Sequence, residues 1–298
     1  MKNILIIGCG LIGSSLLRIV AKKKLSKKIF VYEKSKANIK KIKKLNLPCV
    51  VISDLKNIIP KLDLIIFCTP MSEYEKIILK INKYLTPNII ITDVGSSKES
   101  TLKLINKKLK KGISWTSSHP ISGSEVSGPE FGNSNLFLNK WCILIKEKNS
   151  NKKHLMFLIK FWKKIGSKIE IMDAKKHDAI FSMTSHLPHL IAYNLVKTAT
   201  DFEKRKKYDL IKFSAGGLRD FSRIAASNEI MWRDIFFNNQ SNISKVIDLF
   251  IKNLRLFKKD INSKNNKSLI GKLVETKKVR KKIIKLKQDI NKPDFGRS

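Results

Sequence analysis

Arginine is scarce in this chain. Of 61 basic residues only eight are arginine, which leaves 53 lysines spread from one end to the other. A nucleic-acid-binding protein concentrates its charge on one face and uses arginine freely. The formal charge of +37 therefore reads as composition, lysine accompanying abundant isoleucine and asparagine, and no nucleic-acid partner is expected. Such a field still draws anionic substrates. Cysteine is equally sparse. Cys9, Cys49, Cys68 and Cys142 form no CxxC pair and fall mostly in apolar segments, so they read as buried thiols of a reducing cytoplasm, not as disulfides or zinc ligands. No apolar run reaches the ~18 residues of a membrane span, and no membrane association is expected. The opening MKNILIIGCGLIGSSLL begins like an export signal, but glycines interrupt it and no cleavage site follows. It reads as a strand and a turn.

What is present is an alternation. Short apolar, β-branched runs at 3–8, 28–33, 48–52, 63–68, 88–93 and 113–118 are separated by helical patterns at 11–24, 35–46, 73–84 and 97–111. Strands that alternate with helices predict right-handed βαβ units in a doubly wound, mainly parallel α/β sheet. A strand at 141–146 and a helix at 152–166 complete this Rossmann-type domain, over residues 1–172. Beyond it the strand signals vanish. Helical periodicity at 173–206, 216–225, 228–238, 240–260 and 266–290 predicts an all-α C-terminal domain over 173–298. So few amphipathic helices make a poor independent core, and the domain is expected to pack on a second copy of itself. The basic stretch KKVRKKIIKLKQDINK reads as the solvated face of a terminal helix.

Four motifs carry chemistry. GCGLIGSS follows the first strand and opens a helix: Gly8 suits a tight turn, Gly10 lets the backbone approach a pyrophosphate, and Gly13 permits close helix–strand packing. Leu11 and Ile12 start the helix whose free N–H groups face the phosphates. Glu33 ends the second strand, where a carboxylate accepts ribose hydroxyls and repels a 2′-phosphate. NAD is expected over NADP, although Lys34 and Lys36 weaken the argument. Cys68, Thr69 and Pro70 end the fourth strand beside the expected nicotinamide ribose. In DVGSSK, residues 93–98, Ser96 or Ser97 is either a helix N-cap or a ligand contact, and the two roles are compatible. HPISGSE, residues 119–125, falls at the end of the sixth strand. A histidine there is either structural or the group that takes a substrate hydroxyl's proton as hydride leaves.

The helical half supplies a second polar set. His177, Asp178, His186 and His189 lie among apolar residues, and the offsets from Asp178 to His189 and from Ser182 to His186 and His189 suit one helical face. No metal is expected, since no His-x3-His pair with an added carboxylate stands out. Arg219 and Arg223, four apart, share a helix flank. Arginine in a lysine-rich chain points to a planar fork on a carboxylate, with an internal pair to Asp220 as the alternative for one of them.

Taken in order, GCGLIGSS, DVGSSK, HPISGSE, SHLPHLIA and GGLRDFSRIAAS…MW resemble the prephenate dehydrogenase family (prephenate, arogenate and cyclohexadienyl dehydrogenases of tyrosine synthesis). The likeness spans about residues 3 to 235. It implies a Rossmann domain, a helical dimerisation domain and an active site between them. It also implies NAD-dependent oxidative decarboxylation, in which a hydride leaves C4 while C1 loses CO2. By the same resemblance His119 polarises the C4 hydroxyl and Ser96 orients it. Arg223 grips a substrate carboxylate, His189 lies near the substrate, and Glu125, Asp220 and Trp232 line or close the pocket. Ser122, Ser97 and Leu218 depart from the family's frequent alanine, valine and phenylalanine, which leaves prephenate against arogenate open. The length leaves no room for a full ACT or chorismate mutase domain, so any tyrosine control is expected at the active site or through a partner. Hydroxyacid dehydrogenases and pyrroline-carboxylate reductases also join a Rossmann domain to a helical dimer. They do not account for HPISGSE and GGLRDFSRIAAS together.

Overall fold

A computed structural model describes residues 1–286 and 288. The first half contains β1 (Asn3–Ile7), α1 (Leu11–Lys22), β2 (Lys28–Tyr32), α2 (Lys36–Lys44), β3 (Val50–Ile52), β4 (Leu64–Phe67), α3 (Tyr74–Ile81), β5 (Ile90–Asp93) and α4 (Glu99–Lys108). The five strands form one parallel sheet in the order β3-β2-β1-β4-β5. Its order reverses between β1 and β4, and the crevice at such a reversal, beyond the carboxyl ends of the strands, is where open α/β sheets bind ligands.

The continuous apolar runs of β1 and β4 follow from burial on both faces. Leu5, Ile7, Ile65 and Phe67 pack with Tyr74, Ile78 and Ile81 of α3 and Ile105 of α4. Ile4, Ile6, Leu64 and Ile66 pack on the opposite side with Leu16, Leu17 and Val20 of α1 and with Leu158, Phe161 and Trp162. Each such aliphatic side chain contributes roughly 1.5–3 kcal/mol when fully buried.

Beyond β5 the chain departs from the expected sixth parallel strand. Residues 113–117 touch β5 through a single bridge, Ile91 to Trp115. The hydroxyl-rich TSS stretch then binds through side chains, with Ser118 Oγ donating to the Asp93 carbonyl at 2.6 Å. A ladder does not form there. Instead β6 (Ser118–Pro120) pairs antiparallel with β7 (Trp141–Ile145). After α5 (Lys152–Ile165), β8 (Lys168–Met172) adds parallel to β7. The second sheet is thus β6-β7-β8. His119 therefore sits within a short strand rather than beyond one. β8, KIEIM, is a half-exposed edge whose apolar alternation is too short to stand out in the sequence.

The remainder is helical: α6 (Ala174–Phe181), a π-helical turn (Ser182–His186), α7 (Leu187–Lys206), α8 (Gly216–Ala225), α9 (Glu229–Asn238), α10 (Gln240–Asn262) and α11 (Asn266–Lys285). Pro188 is tolerated because it stands in the first turn of α7, just past the π turn. The final residues of the expected helix 266–290, apart from Gln288, lie outside the described residues beyond Leu286. Among the described residues no helix is long and apolar enough to cross a membrane. The four cysteines are free thiols, Cys9 and Cys142 buried and the other two half-buried.

Candidate active site

The glycine turn sits at the β1/β4 reversal, and its geometry states what each glycine does. Gly8 has φ +87°, and a Cβ there would come within 2.8 Å of Thr69 Cγ2 and 2.9 Å of the Cys68 carbonyl. At Gly13 a Cβ would meet the Gly8 carbonyl at 2.1 Å. Gly10 is different, because a Cβ there has no neighbour within 4 Å. Backbone at Gly10, with Leu11 and Ile12 starting α1 behind it, is therefore open to a close-approaching group, and a pyrophosphate fits. Cys68 and Thr69, leading to Pro70, pack against the same turn. Glu33 Oε2 accepts the Cys9 N–H at 2.8 Å and Oε1 accepts the Ser35 N–H at 2.8 Å. The carboxylate is thereby fixed beside the turn with further acceptor capacity for ribose hydroxyls.

At the neighbouring strand end the chemistry is buried. Lys98 is fully buried, and its Nζ donates to Asp93 Oδ2 at 2.6 Å and to the Ser118 carbonyl at 2.7 Å. Trp115 Nε1 and the Gly95 N–H also donate to Asp93, at 3.1 and 2.9 Å. A buried ion pair so closely hydrogen-bonded escapes the usual cost of isolated charge. It also pins the β5–α4 turn that carries Ser96 to the backbone of β6. Neither serine caps α4. Its first N–H groups, those of Lys98 and Glu99, donate to Asp178 Oδ1 and Oδ2 at 2.9 and 2.8 Å, so the cap comes from α6. Asp234 of α9 does the same for the turn after β4, accepting the Ser72 N–H at 2.8 Å.

His119 projects into this buried region, 8% exposed. Its Nδ1 lies 2.8 Å from His177 Nε2, and His177 Nδ1 lies 2.8 Å from Asp178 Oδ1. Phe181 covers both rings, with centroids 4.9 and 4.5 Å away. Burial pushes the His119 imidazole well below its ordinary value, with Lys98 adding to the effect, so the ring is neutral. Burial likewise lowers His177, against the pull of Asp178. It lowers His186 to about 4. These histidines are neutral, each with one N–H donor and one acceptor nitrogen.

The helical half faces this cluster. His189 stacks on Trp232 with centroids 3.8 Å apart, and its Nδ1 donates to the Ser185 carbonyl at 2.9 Å. Arg223 Nη1 lies 3.5 Å from Glu125 Oε2, joining α8 to the HPISGSE loop. Hydrogen bonds from its own backbone and from Ser124 hold the Glu125 carboxyl low, and Arg223 adds to this. Buried side-chain atoms without a hydrogen-bond partner include Ser122 Oγ, His186 Nε2, Arg223 Nε and Trp232 Nε1. Asp220 and Arg219 are exposed on α8. The structure thus gathers His119, His177 and Asp178 into one network, and joins Glu125 to Arg223 and His189 to Trp232. It leaves Asp220 apart.

Residues 17–171 match the nucleotide-binding domain of prephenate dehydrogenase, and residues 173–276 match that enzyme's dimerization domain. The chain belongs to the prephenate dehydrogenase family. A cyclohexadienyl dehydrogenase from Zymomonas mobilis is 33% identical over 279 residues, which cover 94% of this chain and 95% of that protein. A prephenate dehydrogenase from Lactococcus lactis is 30% identical, over 94% of this chain and 77% of its own length. Among solved structures, prephenate dehydrogenase from Aquifex aeolicus, in complex with hydroxyphenyl propionate and NAD+, superposes with a TM-score of 0.88 at 32% identity. The alignment covers 95% of this chain and 98% of that one. This family member is accordingly a dehydrogenase with a Rossmann-type nucleotide-binding half and a helical half, as the alternation of its sequence predicts.

Sequence reasoning missed two parts of this candidate site. Lys98 stands in the DVGSSK motif, but lysine is so rarely buried that the motif's serines are the stronger local signal. The capping by Asp178 and Asp234 had no local signal, because donor and acceptor are 79 and 162 residues apart.

Proposed function

We propose that the enzyme converts prephenate to 4-hydroxyphenylpyruvate by NAD-dependent oxidative decarboxylation, in tyrosine biosynthesis. The observation that carries this reading is His119, a buried neutral imidazole of β6 held by His177, on a strand that Lys98 ties to the end of β5. Bound at the Gly8–Gly13 turn and Glu33, NAD supplies the hydride acceptor. His119 takes the proton of the C4 hydroxyl as the C4–H bond breaks. Ser96, on the turn pinned by Lys98, orients that hydroxyl. Arg223 holds a substrate carboxylate, and the buried unpartnered Nε adds a donor suited to it. His189 and Trp232 form the wall behind the ring, and Glu125 fixes Arg223 from the loop side. Asp220, exposed in one chain, closes the pocket only if a second copy packs over α8. The ring carboxylate leaves as CO2 and aromatisation drives the reaction forward.

A specificity that extends to arogenate is favoured by one observation, the resemblance to a relative named for cyclohexadienyl substrates. One spectrophotometric assay tests both readings: prephenate and arogenate, each with NAD and NADP. Reduction of NAD on prephenate supports the proposal, and comparable turnover of arogenate supports the broader one. No nucleotide reduction with either substrate overturns both.

A further inference from the structure

His119 must be unprotonated at the nitrogen that meets the substrate, and neutral imidazole has two tautomers of which only one qualifies. The surroundings select between them by donor–acceptor accounting. Asp178 accepts backbone N–H groups from Lys98 and Glu99, one on each oxygen, so it faces its neighbours as an acceptor. His177 Nδ1, 2.8 Å from Asp178 Oδ1, is then the donor of that pair. A neutral His177 with its proton on Nδ1 presents Nε2 as an acceptor. Its partner at 2.8 Å, His119 Nδ1, must supply the proton. That leaves Nε2 of His119 bare.

We propose that His177 and Asp178 are positioning residues that fix the tautomer of His119, so that its Nε2 can accept the substrate hydroxyl proton. The inference rests on the role given to His119 above. When the C4–H electron pair leaves as hydride to the nicotinamide, the hydroxyl proton moves to Nε2. The resulting imidazolium keeps its Nδ1–H on His177, with the Asp178 carboxylate behind it. Asp178 also caps α4, the helix that begins just after Lys98. One carboxylate thus sets both the proton inventory of His119 and the turn bearing Ser96. The groups that face His119 are His177 and Asp178 from α6, Lys98 at the start of α4, His186 from the π turn and the Cys142 thiol from β7. Of these only His177 stands within hydrogen-bond distance of its Nδ1.

Nitrogen NMR of histidine-labelled, NAD-bound enzyme reads the tautomer directly. His119 is expected to carry its proton on Nδ1 throughout the pH range of activity, and a protonated Nε2 in the neutral ring overturns the proposal. His177→Leu removes the acceptor, and kcat is expected to fall by about 10²-fold or more. NAD affinity stays unchanged, and the acid limb of the kcat profile moves to lower pH because the imidazolium loses a hydrogen bond. His177→Gln, whose amide oxygen can still accept from Nδ1, is expected to recover most of that loss. Equal loss in the two variants, with no movement of the acid limb, reveals a packing role and overturns the inference. His119→Asn separates this failure from that of the underlying reading. If His119→Asn is inactive while His177→Leu is not, only the inference falls; if His119→Asn is active, the role of His119 falls. Should the His177 variants not fold, the NMR result on the unmodified enzyme decides.

Discussion

The two halves of this dehydrogenase solve the problem of burial in opposite ways. The sheet half is covered on both faces by its own helices, and β1 and β4 bury nearly every side chain. In the helical half, α8 and α11 bury no residue, α7 buries two of its 20 and α10 two of its 23. What the helical half does bury, such as Phe181, Trp232 and Ile235, joins the cluster under the sheet rather than a core of its own. Meanwhile Phe237 is 73% exposed and Ile261 60%. Exposed apolar surface on this scale marks an interaction face, and these residues match the model of a dimerization domain. One half is finished within the chain. We propose that the other is finished by a second copy of the chain.

In the proposed assignment the same division extends to the chemistry, and the largest expected effects probe it there. His119→Asn, in the sheet half, should lower kcat by about 10²–10⁴-fold while NAD binding persists; steady-state kinetics with a separate NAD titration checks both. Arg223→Ala, in the helical half, should act mainly on KM, weakening capture by roughly 2–5 kcal/mol if the substrate buries the charge pair. If Arg219→Ala does so instead, the assignment within α8 is reversed. A kcat effect from Arg223 equal to that from His119 would erase the division of labour.

Acid should strike where the halves meet. His186 is lowered from 6.5 to about 4 by burial, so between these values the unfolded chain binds the extra proton. Stability is then full above about 6.5 and falls as pH drops toward 4, by about 3 kcal/mol for this group alone. Denaturant titrations across that range, compared with His186→Asn, measure it. A curve unchanged by the substitution would detach His186 from the acid response.

Glu33→Ala tests the nucleotide side. Losing a charged hydrogen-bond acceptor costs about 1.5–3 kcal/mol, so kcat/KM for NAD should fall by roughly tenfold or more while NADP gains relative to it. The smallest effects sharpen the packing contrast. Leu254 in α10 and Leu79 in α3 are almost equally exposed, 56% and 58%. Leu254→Glu should cost more than about 1 kcal/mol and shift sedimentation toward monomer, while Leu79→Glu stays within about 0.5 kcal/mol. Equal responses would mean that the open helical faces are simply surface.

Local signals made the sheet half legible. Short β-branched runs, a glycine turn in its strand–helix setting and a strand-end carboxylate each depend on residues close in sequence. Helix positions in the second half were equally plain from periodicity. The TSS stretch misled because its β-branched threonine and flanking tryptophan suit a strand, while its hydroxyls offered the backbone other partners. The π turn was hidden as well, since one extra residue in a helix leaves no pattern, yet it shifts how His186 and His189 are presented. Least visible were the contacts between halves. His119 reads as an isolated histidine until the fold brings His177 to it across 58 residues.

Asp178 and Asp234 carry a consequence for anyone who would cut or recombine this protein. Two ligand-side turns of the nucleotide-binding half end in N–H groups satisfied only by carboxylates of the helical half. A fragment stopping at Met172, or a chimera with a foreign helical partner, would keep every strand and the glycine turn yet expose those donors. Its dinucleotide pocket would be intact on one side and frayed on the other. The seam in the polypeptide is therefore not a seam in the candidate site, and a graft that keeps these turns capped must carry the two aspartates with it.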